Sequence, residues 1–248
     1  MALDELTGGH GRFPATRWSV IEAARSDDGA ERRWALETLC EAYWRPVYKY
    51  IRLRWSRAPE DAQDLTQGFF AETLERGLLT RFDAGKSRLR TYLRLCVDSF
   101  VTNQDKAAAR QKRGGDVEHV VLDFAGAEEE LGKDTIDPAA IASPESLEEF
   151  FETEWVRSLF TLAVEDLRSL CAERERDRAF RLFEVYDLDG GENISYAQLA
   201  EDNGIAVTDV TNALAWARRE FRKLVLERLR KICGSDEEFR RETRAVFR

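Results

Sequence analysis

Histidine, cysteine and proline are scarce in this chain. Its 248 residues include two histidines, four cysteines and five prolines. Zinc sites and histidine-based catalytic centres need such groups at close spacing, and the sequence offers neither that spacing nor a Cys-x-x-Cys pair. We therefore expect no bound metal and no cofactor. Apolar neighbours around each cysteine predict buried, reduced thiols at Cys40, Cys96, Cys171 and Cys233.

Long apolar runs are also missing. No stretch approaches the roughly 18 apolar residues of a membrane span, and the first ten residues lack a basic start followed by an apolar core. We expect a cytoplasmic protein without a membrane partner. No nucleophile, phosphate-binding loop or metal cluster stands out, which makes an enzyme the least favoured class.

Charge is distributed unevenly along the chain, although the net charge is −9. Residues 86–113 contain eight Lys and Arg against two Asp, and residues 214–231 contain seven Lys and Arg against two Glu. Between them, residues 116–154 contain thirteen Asp and Glu against one Lys. Two basic helical segments separated by an acidic connector are typical of a nucleic-acid-binding protein.

Residues 193–221 read as a helix-turn-helix, around which the chain is organised. Ser195 can cap a short helix with Leu199 and Ala200 inward, and Gly204 supplies the positive φ of a tight turn. A second helix follows, with one apolar face formed by Val207, Val210, Leu214, Ala217, Phe221 and Leu224. This pattern predicts a DNA-binding motif, with a plain helical hairpin as the alternative.

The outward residues of the second helix favour DNA binding over the hairpin. Thr208, Thr211 and Asn212 can hydrogen-bond bases or phosphates. Asp209 and Trp216 count against a base-reading helix. The basic side chains that follow are Arg218, Arg219, Arg222 and Lys223.

The helices before residue 75 are predicted from apolar spacing. The first covers residues 16–25, and a second runs over about 30–44 until Pro46 kinks or restarts it. A third begins at Pro59, where acidic residues suit the first turn. One side of it presents Asp61, Asp64 and Gln67, which form either a solvated acidic face or a docking surface.

A long basic helix is predicted after residue 87. Its outward positions are Arg88, Arg90, Arg94, Asn103, Lys106, Arg110, Lys112 and Arg113. With Tyr92 and Phe82 nearby, these side chains could hold a nucleic-acid backbone and stack bases, the alternative being a merely solvated basic face.

The other segments are an N-terminus, a connector and a tail. Residues 1–12 are expected to be flexible, and the composition of residues 116–147 predicts an acidic flexible linker. Helices resume at about residue 148. Residues 233–248 form a C-terminal tail, for which a frayed terminus is favoured over an extra docking helix.

Four short segments carry a family resemblance. They are Tyr43-Trp-Arg-Pro-Val-Tyr48, then Pro59-Glu-Asp-Ala-Gln-Asp-Leu-Thr-Gln-Gly-Phe-Phe70, then Arg88-Leu-Arg-Thr-Tyr-Leu93 leading to Gln111-Lys-Arg-Gly-Gly115, and Ser195-Tyr-Ala-Gln-Leu-Ala200 with Val210 and residues 217–219. Together they resemble bacterial RNA polymerase sigma factors of the extracytoplasmic-function type. The resemblance covers about residues 13–232, and residues 59–70 are its most specific part.

The resemblance implies a two-domain, all-α architecture. A sigma-2-like helical bundle over residues 13–115 would be joined by the acidic linker to a sigma-4-like helix-turn-helix domain over residues 148–232. The implied function is to bind core RNA polymerase, recognise the −10 and −35 promoter elements and direct transcription initiation. A regulatory protein such as an anti-sigma factor is a further implied partner.

The resemblance also implies roles for individual residues. Contact with core polymerase would be made by Asp61, Gln63, Asp64, Gln67 and Phe70. The −10 element would be held by Lys86, Arg88, Arg90, Tyr92, Arg94, Asn103, Arg110, Lys112 and Arg113. The −35 element would be read by Thr208, Thr211, Asn212, Arg218, Arg219 and Arg222.

Two other interpretations compete with this one. A free-standing helix-turn-helix regulator that acts without polymerase predicts a dimer with a ligand pocket. The segment from Asp187 resembles an EF-hand calcium loop, but Gly191, Glu192 and Gln198 occupy positions where that loop needs other residues. A simple connection between helices is the favoured interpretation there.

Overall fold

A computed structural model describes residues 19–75, 77–108, 122–133, 143–189 and 194–247. These ranges contain ten α-helices and no β-strand, which confirms the all-α fold class. The helices are α1 Val20–Ala24, α2 Gly29–Arg54, α3 Pro59–Glu75, α4 Leu89–Ala108, α5 Phe124–Lys133, α6 Pro144–Glu173, α7 Asp177–Phe183, α8 Tyr196–Asp202, α9 Val207–Ile232 and α10 Asp236–Val246. A 3₁₀ turn covers Leu78–Arg81, and a π-helical turn covers Glu184–Leu188.

Helix starts follow from side chains that accept hydrogen bonds from free backbone N–H groups. The Ser19 hydroxyl accepts from the Glu22 amide, and the Glu22 carboxylate accepts from the Ser19 amide, both at 3.2 Å. The Asp28 carboxylate caps α2 through the Ala30 amide at 2.8 Å. Ser143, Ser195 and Ser235 begin later helices in the same way.

Pro46 does not interrupt α2, which runs unbroken from Gly29 to Arg54. The sequence predicted a kink or restart because proline lacks an amide donor. Only the bond from position 46 to the Ala42 carbonyl is lost. The turns on either side are held by buried Tyr43, Val47 and Tyr50, so packing compensates for the missing bond.

A first hydrophobic cluster joins α1 to α6 with the end of α9 and with α10. Its centre is aromatic. The Trp155 ring of α6 stacks on Tyr43 of α2 at 6.2 Å between centroids, and Phe151 meets Tyr50 edge-on at 5.5 Å. Edge-on and offset ring pairs add to the energy of burial, so this contact fixes α6 against α2.

A second cluster contains the end of α6, then α7, α8 and the first half of α9. Phe221 and Leu224 pack against both clusters, and α6 contributes to both. The predicted domain start at residue 148 therefore lies near the beginning of α6, a helix shared by the two clusters, and it does not coincide with a boundary between them.

Two segments expected to be loose contain packed helices. Within the predicted linker, α5 buries Phe124 and Ala127 against the first cluster. Residues 116–121 and 134–142 of the linker and residues 1–12 of the predicted flexible N-terminus lie outside the described residues. The tail forms α10, in which Glu238 and Glu242 are buried. Composition predicted a flexible linker and a frayed end because it carries no information about these long-range partners.

Three cysteines are buried as predicted, at positions 40, 171 and 233, and Cys96 is partly exposed. Burial raises the pKa of the Cys40 thiol to about 12. Such a thiol stays protonated near neutral pH and packs as a small apolar group.

We expect Phe151→Ala to lower the free energy of unfolding by about 3–5 kcal/mol, because it removes a fully buried ring from the contact between α6 and α2. Urea denaturation followed by circular dichroism measures the change. Leu95→Ala on α4 is the control, since Leu95 is 50% exposed and its loss should stay within about 0.5 kcal/mol. Equal effects of the two substitutions would contradict this packing.

Candidate nucleic-acid interface

The helix-turn-helix is built as its sequence predicted. The Ser195 hydroxyl accepts from the Gln198 amide at 3.1 Å and begins α8. Leu199 and Ala200 are buried, and Gly204 turns the chain with a φ of +61°. The Ile205 amide then donates to the Ala200 carbonyl at 3.0 Å, which closes the turn before α9.

The apolar face of α9 was predicted correctly except at its first residue. Val210, Leu214 and Ala217 are buried in the second cluster. Val207 is 47% exposed, because it stands at the first helical position, beyond the reach of α8. The first two turns of α9 therefore expose one side to solvent, while Val210 and Leu214 fix the other side in the second cluster.

Polar side chains occupy the exposed side of the first two turns of α9. Thr208, Thr211 and Asn212 are all exposed, as a base-reading surface requires. The Thr211 hydroxyl donates to the Val207 carbonyl at 3.0 Å, so its oxygen lone pairs remain as acceptors. Among the predicted −35 contacts, these three lie nearest the start of α9.

Two residues that counted against DNA binding have structural roles. Asp209 accepts from the Ala206 amide at 3.4 Å at the start of α9. Trp216 packs on the second cluster, and the Arg176 guanidinium lies over its ring at 4.5 Å. The acidic residue at the third helical position was a recognisable capping signal, whereas Arg176 could not be paired with Trp216 from sequence.

Arg218 is held by the protein itself. Its guanidinium donates bidentate hydrogen bonds to the Asp187 carboxylate at 2.9–3.1 Å and a further one to the Tyr196 hydroxyl at 3.2 Å. It also lies over the Tyr186 ring, 5.4 Å from the ring centroid. The bond to Asp187 raises the pKa of Arg218. Asp187, singled out in the sequence as a calcium-loop position, is therefore an anchor for α9.

The other basic residues of α9 differ in exposure. The side chains of Arg219 and Lys223 are 61% and 57% exposed, and both lie beside Glu220, at 3.7 Å and 2.9 Å. The bond from Lys223 lowers the pKa of Glu220. Arg222 is partly buried over the Phe247 ring at 4.2 Å. Arg219 is thus the predicted −35 arginine most accessible to a phosphate.

The basic face of α4 differs from its prediction. Arg90, expected outward, is 4% exposed, pairs with Glu242 of α10 and donates to Glu152 of α6 at 3.1 Å. Its guanidinium lies 4.7 Å above the Trp155 ring. Burial lowers the pKa of Arg90, but Glu242 and Glu152 raise it by more, so the group stays charged.

Other side chains on α4 and just before it are also paired. Arg88 lies 3.6 Å from both Glu152 and Glu242, and Arg94 donates to Glu148 at 3.1 Å. The Tyr92 hydroxyl donates to the Leu78 carbonyl at 2.7 Å. Of the predicted −10 contacts, Lys86 is 84% exposed and Asn103 is exposed, whereas Arg110, Lys112 and Arg113 lie outside the described residues.

The acidic face of α3 is accessible except at its last predicted contact. Asp61 and Asp64 are exposed, and Gln63 and Gln67 are partly exposed. Phe70 is 4% exposed and packs edge-on against Phe69. The prediction placed Phe70 on the docking surface, but its ring belongs to the first cluster because it falls on the apolar side of α3.

Comparison with protein-family models, with curated proteins and with solved structures returned no match. No helix in the described ranges is long and apolar enough to cross a membrane. Within the same ranges, no three His, Cys, Asp or Glu side chains are grouped to hold a metal ion.

We expect Glu242→Gln to lower the free energy of unfolding by about 3 kcal/mol, because the buried charge of Arg90 loses one of its two carboxylate partners. Urea denaturation measures the loss. Glu237→Gln provides a matched control on the exposed side of α10 and should change stability by less than about 0.5 kcal/mol. If the two variants unfold at the same urea concentration, the pairing of Arg90 with Glu242 is not what holds α10.

Proposed function

We propose that this chain is a transcription initiation factor of the sigma type, which binds core RNA polymerase through α3 and promoter DNA through α9 and α4. The observation that carries the proposal is the helix-turn-helix, with Thr208, Thr211 and Asn212 on the exposed side of the first two turns of α9. An exposed, polar helix end of this kind fits the major groove.

The exposed acidic face of α3 supports the polymerase contact. Asp61 and Asp64 are accessible on a helix whose opposite side is fixed in the core by Ala62, Phe69 and Phe70. A rigid helix presenting two carboxylates suits a partner surface that carries basic residues. We assign Phe70 a structural role and leave the docking contact to Asp61, Gln63, Asp64 and Gln67.

Binding of the −10 element requires a rearrangement in this proposal. Arg88, Arg90 and Arg94 are paired with glutamates of α6 and α10, and DNA phosphates must replace those partners. Separating α6 and α10 from α4 would also expose Trp155. The free energy must come from elsewhere, and binding to polymerase is the source we infer.

Weak DNA binding by the free chain follows from this arrangement. The −35 surface on α9 is accessible, whereas the −10 surface on α4 is largely occupied. Polymerase would hold both surfaces at fixed spacing, so that the second DNA contact becomes intramolecular and gains effective concentration. The net charge of −9 further disfavours binding of DNA by the chain alone.

We expect the chain to co-elute with bacterial core RNA polymerase in size-exclusion chromatography, and Asp64→Arg to abolish co-elution by reversing a charge on α3. Glu165→Arg, a reversal of an exposed carboxylate on α6, is the matched control and should leave co-elution unchanged. A chain that does not bind polymerase and instead elutes as a dimer that shifts duplex DNA would favour the free-standing regulator.

We expect Thr208→Ala combined with Asn212→Ala to reduce run-off transcription by polymerase and this chain about tenfold or more, because base-edge hydrogen bonds are lost. A pool of genomic DNA fragments serves as template. Co-elution with polymerase should not change. Ser169→Ala, at an exposed position of α6, controls for the loss of a surface hydroxyl, and an equal loss of transcription there would refute a base-reading role for α9.

A further inference from the structure

Helix α2 carries a row of alternating basic and aromatic side chains on one face. The members of this basic–aromatic stripe are Trp44, Arg45, Tyr48, Lys49 and Arg52. The three cations are spaced four and three residues apart, which places them in line along the helix. Neither predicted DNA surface includes any member of the stripe.

Helix α5 covers the stripe with groups of complementary chemistry. Glu128 accepts hydrogen bonds from the Tyr48 hydroxyl at 2.7 Å and from Arg52 at 3.0 Å. Glu130 accepts from Lys49 at 2.7 Å and also binds Arg45. Each polar member of the stripe therefore has a carboxylate of α5 as a partner.

The aromatic members of the stripe are covered by one ring. Phe124 meets Trp44 edge-on at 5.4 Å and lies tilted against Tyr48 at 5.0 Å. Helix α5 thus places carboxylates on the cations of the stripe and a flat ring on its aromatic residues. A single nucleic-acid strand can make the same two kinds of contact, because its phosphates bind Arg and Lys and its bases stack on aromatic rings.

The attachment of α5 is limited in extent. Among residues 124–132, only Phe124 and Ala127 are buried, while the Glu128 and Glu130 side chains keep 28% and 37% of their surface exposed. A helix of ten residues is marginal without its tertiary contacts. Because Lys49 also binds Glu154 of α6 at 2.6 Å, the cations released by a departing α5 would be Arg45 and Arg52.

We propose that the basic–aromatic stripe of α2 is a binding surface for single-stranded nucleic acid, and that α5 occupies it as a displaceable acidic substitute. This surface is additional to the −10 and −35 contacts of the proposed function. It needs no polymerase, so its test is independent of co-elution.

The test compares binding of a fluorescein-labelled oligothymidylate to full-length variants by fluorescence anisotropy at low salt. Glu128→Gln combined with Glu130→Gln weakens the hold of α5, and we expect binding about tenfold tighter than for the unmodified chain, which is about 1.4 kcal/mol. Glu145→Gln combined with Glu165→Gln makes the same change in net charge at exposed positions of α6 and should change binding little.

Two further substitutions locate the binding surface. Arg45→Gln combined with Arg52→Gln, added to the α5 variant, should cancel the gain in affinity because the released cations are gone. The proposal is overturned if the gain survives these substitutions, if the α6 control shows an equal gain, or if the folded α5 variant shows none.

Hydrogen exchange of the unmodified chain provides a measurement that does not depend on a variant folding. Saturating oligothymidylate should speed amide exchange in residues 124–133, while residues 44–52 stay protected because α2 remains packed on α3 and α6. Binding of the oligonucleotide with unchanged or slower exchange in α5 would place the strand elsewhere and refute the proposal.

Discussion

The contact of Trp155 with Tyr43 and Arg90 is the interaction on which the arrangement of the helices depends. The indole of α6 stacks on a ring of α2 and lies beneath a guanidinium of α4, which in turn holds Glu242 of α10. Four helices from distant parts of the sequence thus meet around one side chain that is 2% exposed. Buried charge is tolerated there because the cation has both an aromatic face and carboxylates.

Charge pairing between helices explains how a net-acidic chain can carry surfaces suited to nucleic acid. The basic side chains of α4 are matched by glutamates of α6 and α10, and those of the α2 stripe are matched by α5. In both places, the acidic connector or the tail supplies the partner. Much of the positive charge of the described residues is consequently paired inside the free protein, whereas the polar side of the first turns of α9 is exposed.

Local features of the fold could be predicted from sequence, because they depend on neighbours a few residues apart. The cap at Ser195, the turn at Gly204 and the buried side of α9 at Val210 are examples. Long-range pairing could not be predicted. Glu242 lies 152 residues from Arg90. Apolar spacing assigns every charged residue of an amphipathic helix to the exposed side, because it carries no information about a distant ion-pair partner.

Differences between the expected and observed surroundings of individual residues have the same origin. Phe70 was assigned by resemblance to a motif, although its position on α3 turns it inward with Phe69. The composition of residues 116–147 did not predict α5, because Phe124 and Ala127 are its only buried apolar residues among 124–132. The helix is fixed by long-range packing, in which Phe124 contacts the rings of Trp44 and Tyr48 on α2. Arg218 is exposed as predicted, but its ion pair with Asp187, 31 residues away, could not be predicted from spacing.

The position of α10 has a consequence for how the chain is made. During synthesis, α2, α4 and the start of α6 leave the ribosome long before residue 242 does. Until then, Arg90 lacks Glu242, and the part of the first cluster that α10 covers, including the side chain of Val246, remains unfinished. The packing of α2, α4 and α6 around Arg90 is therefore completed only after α10 has been synthesised.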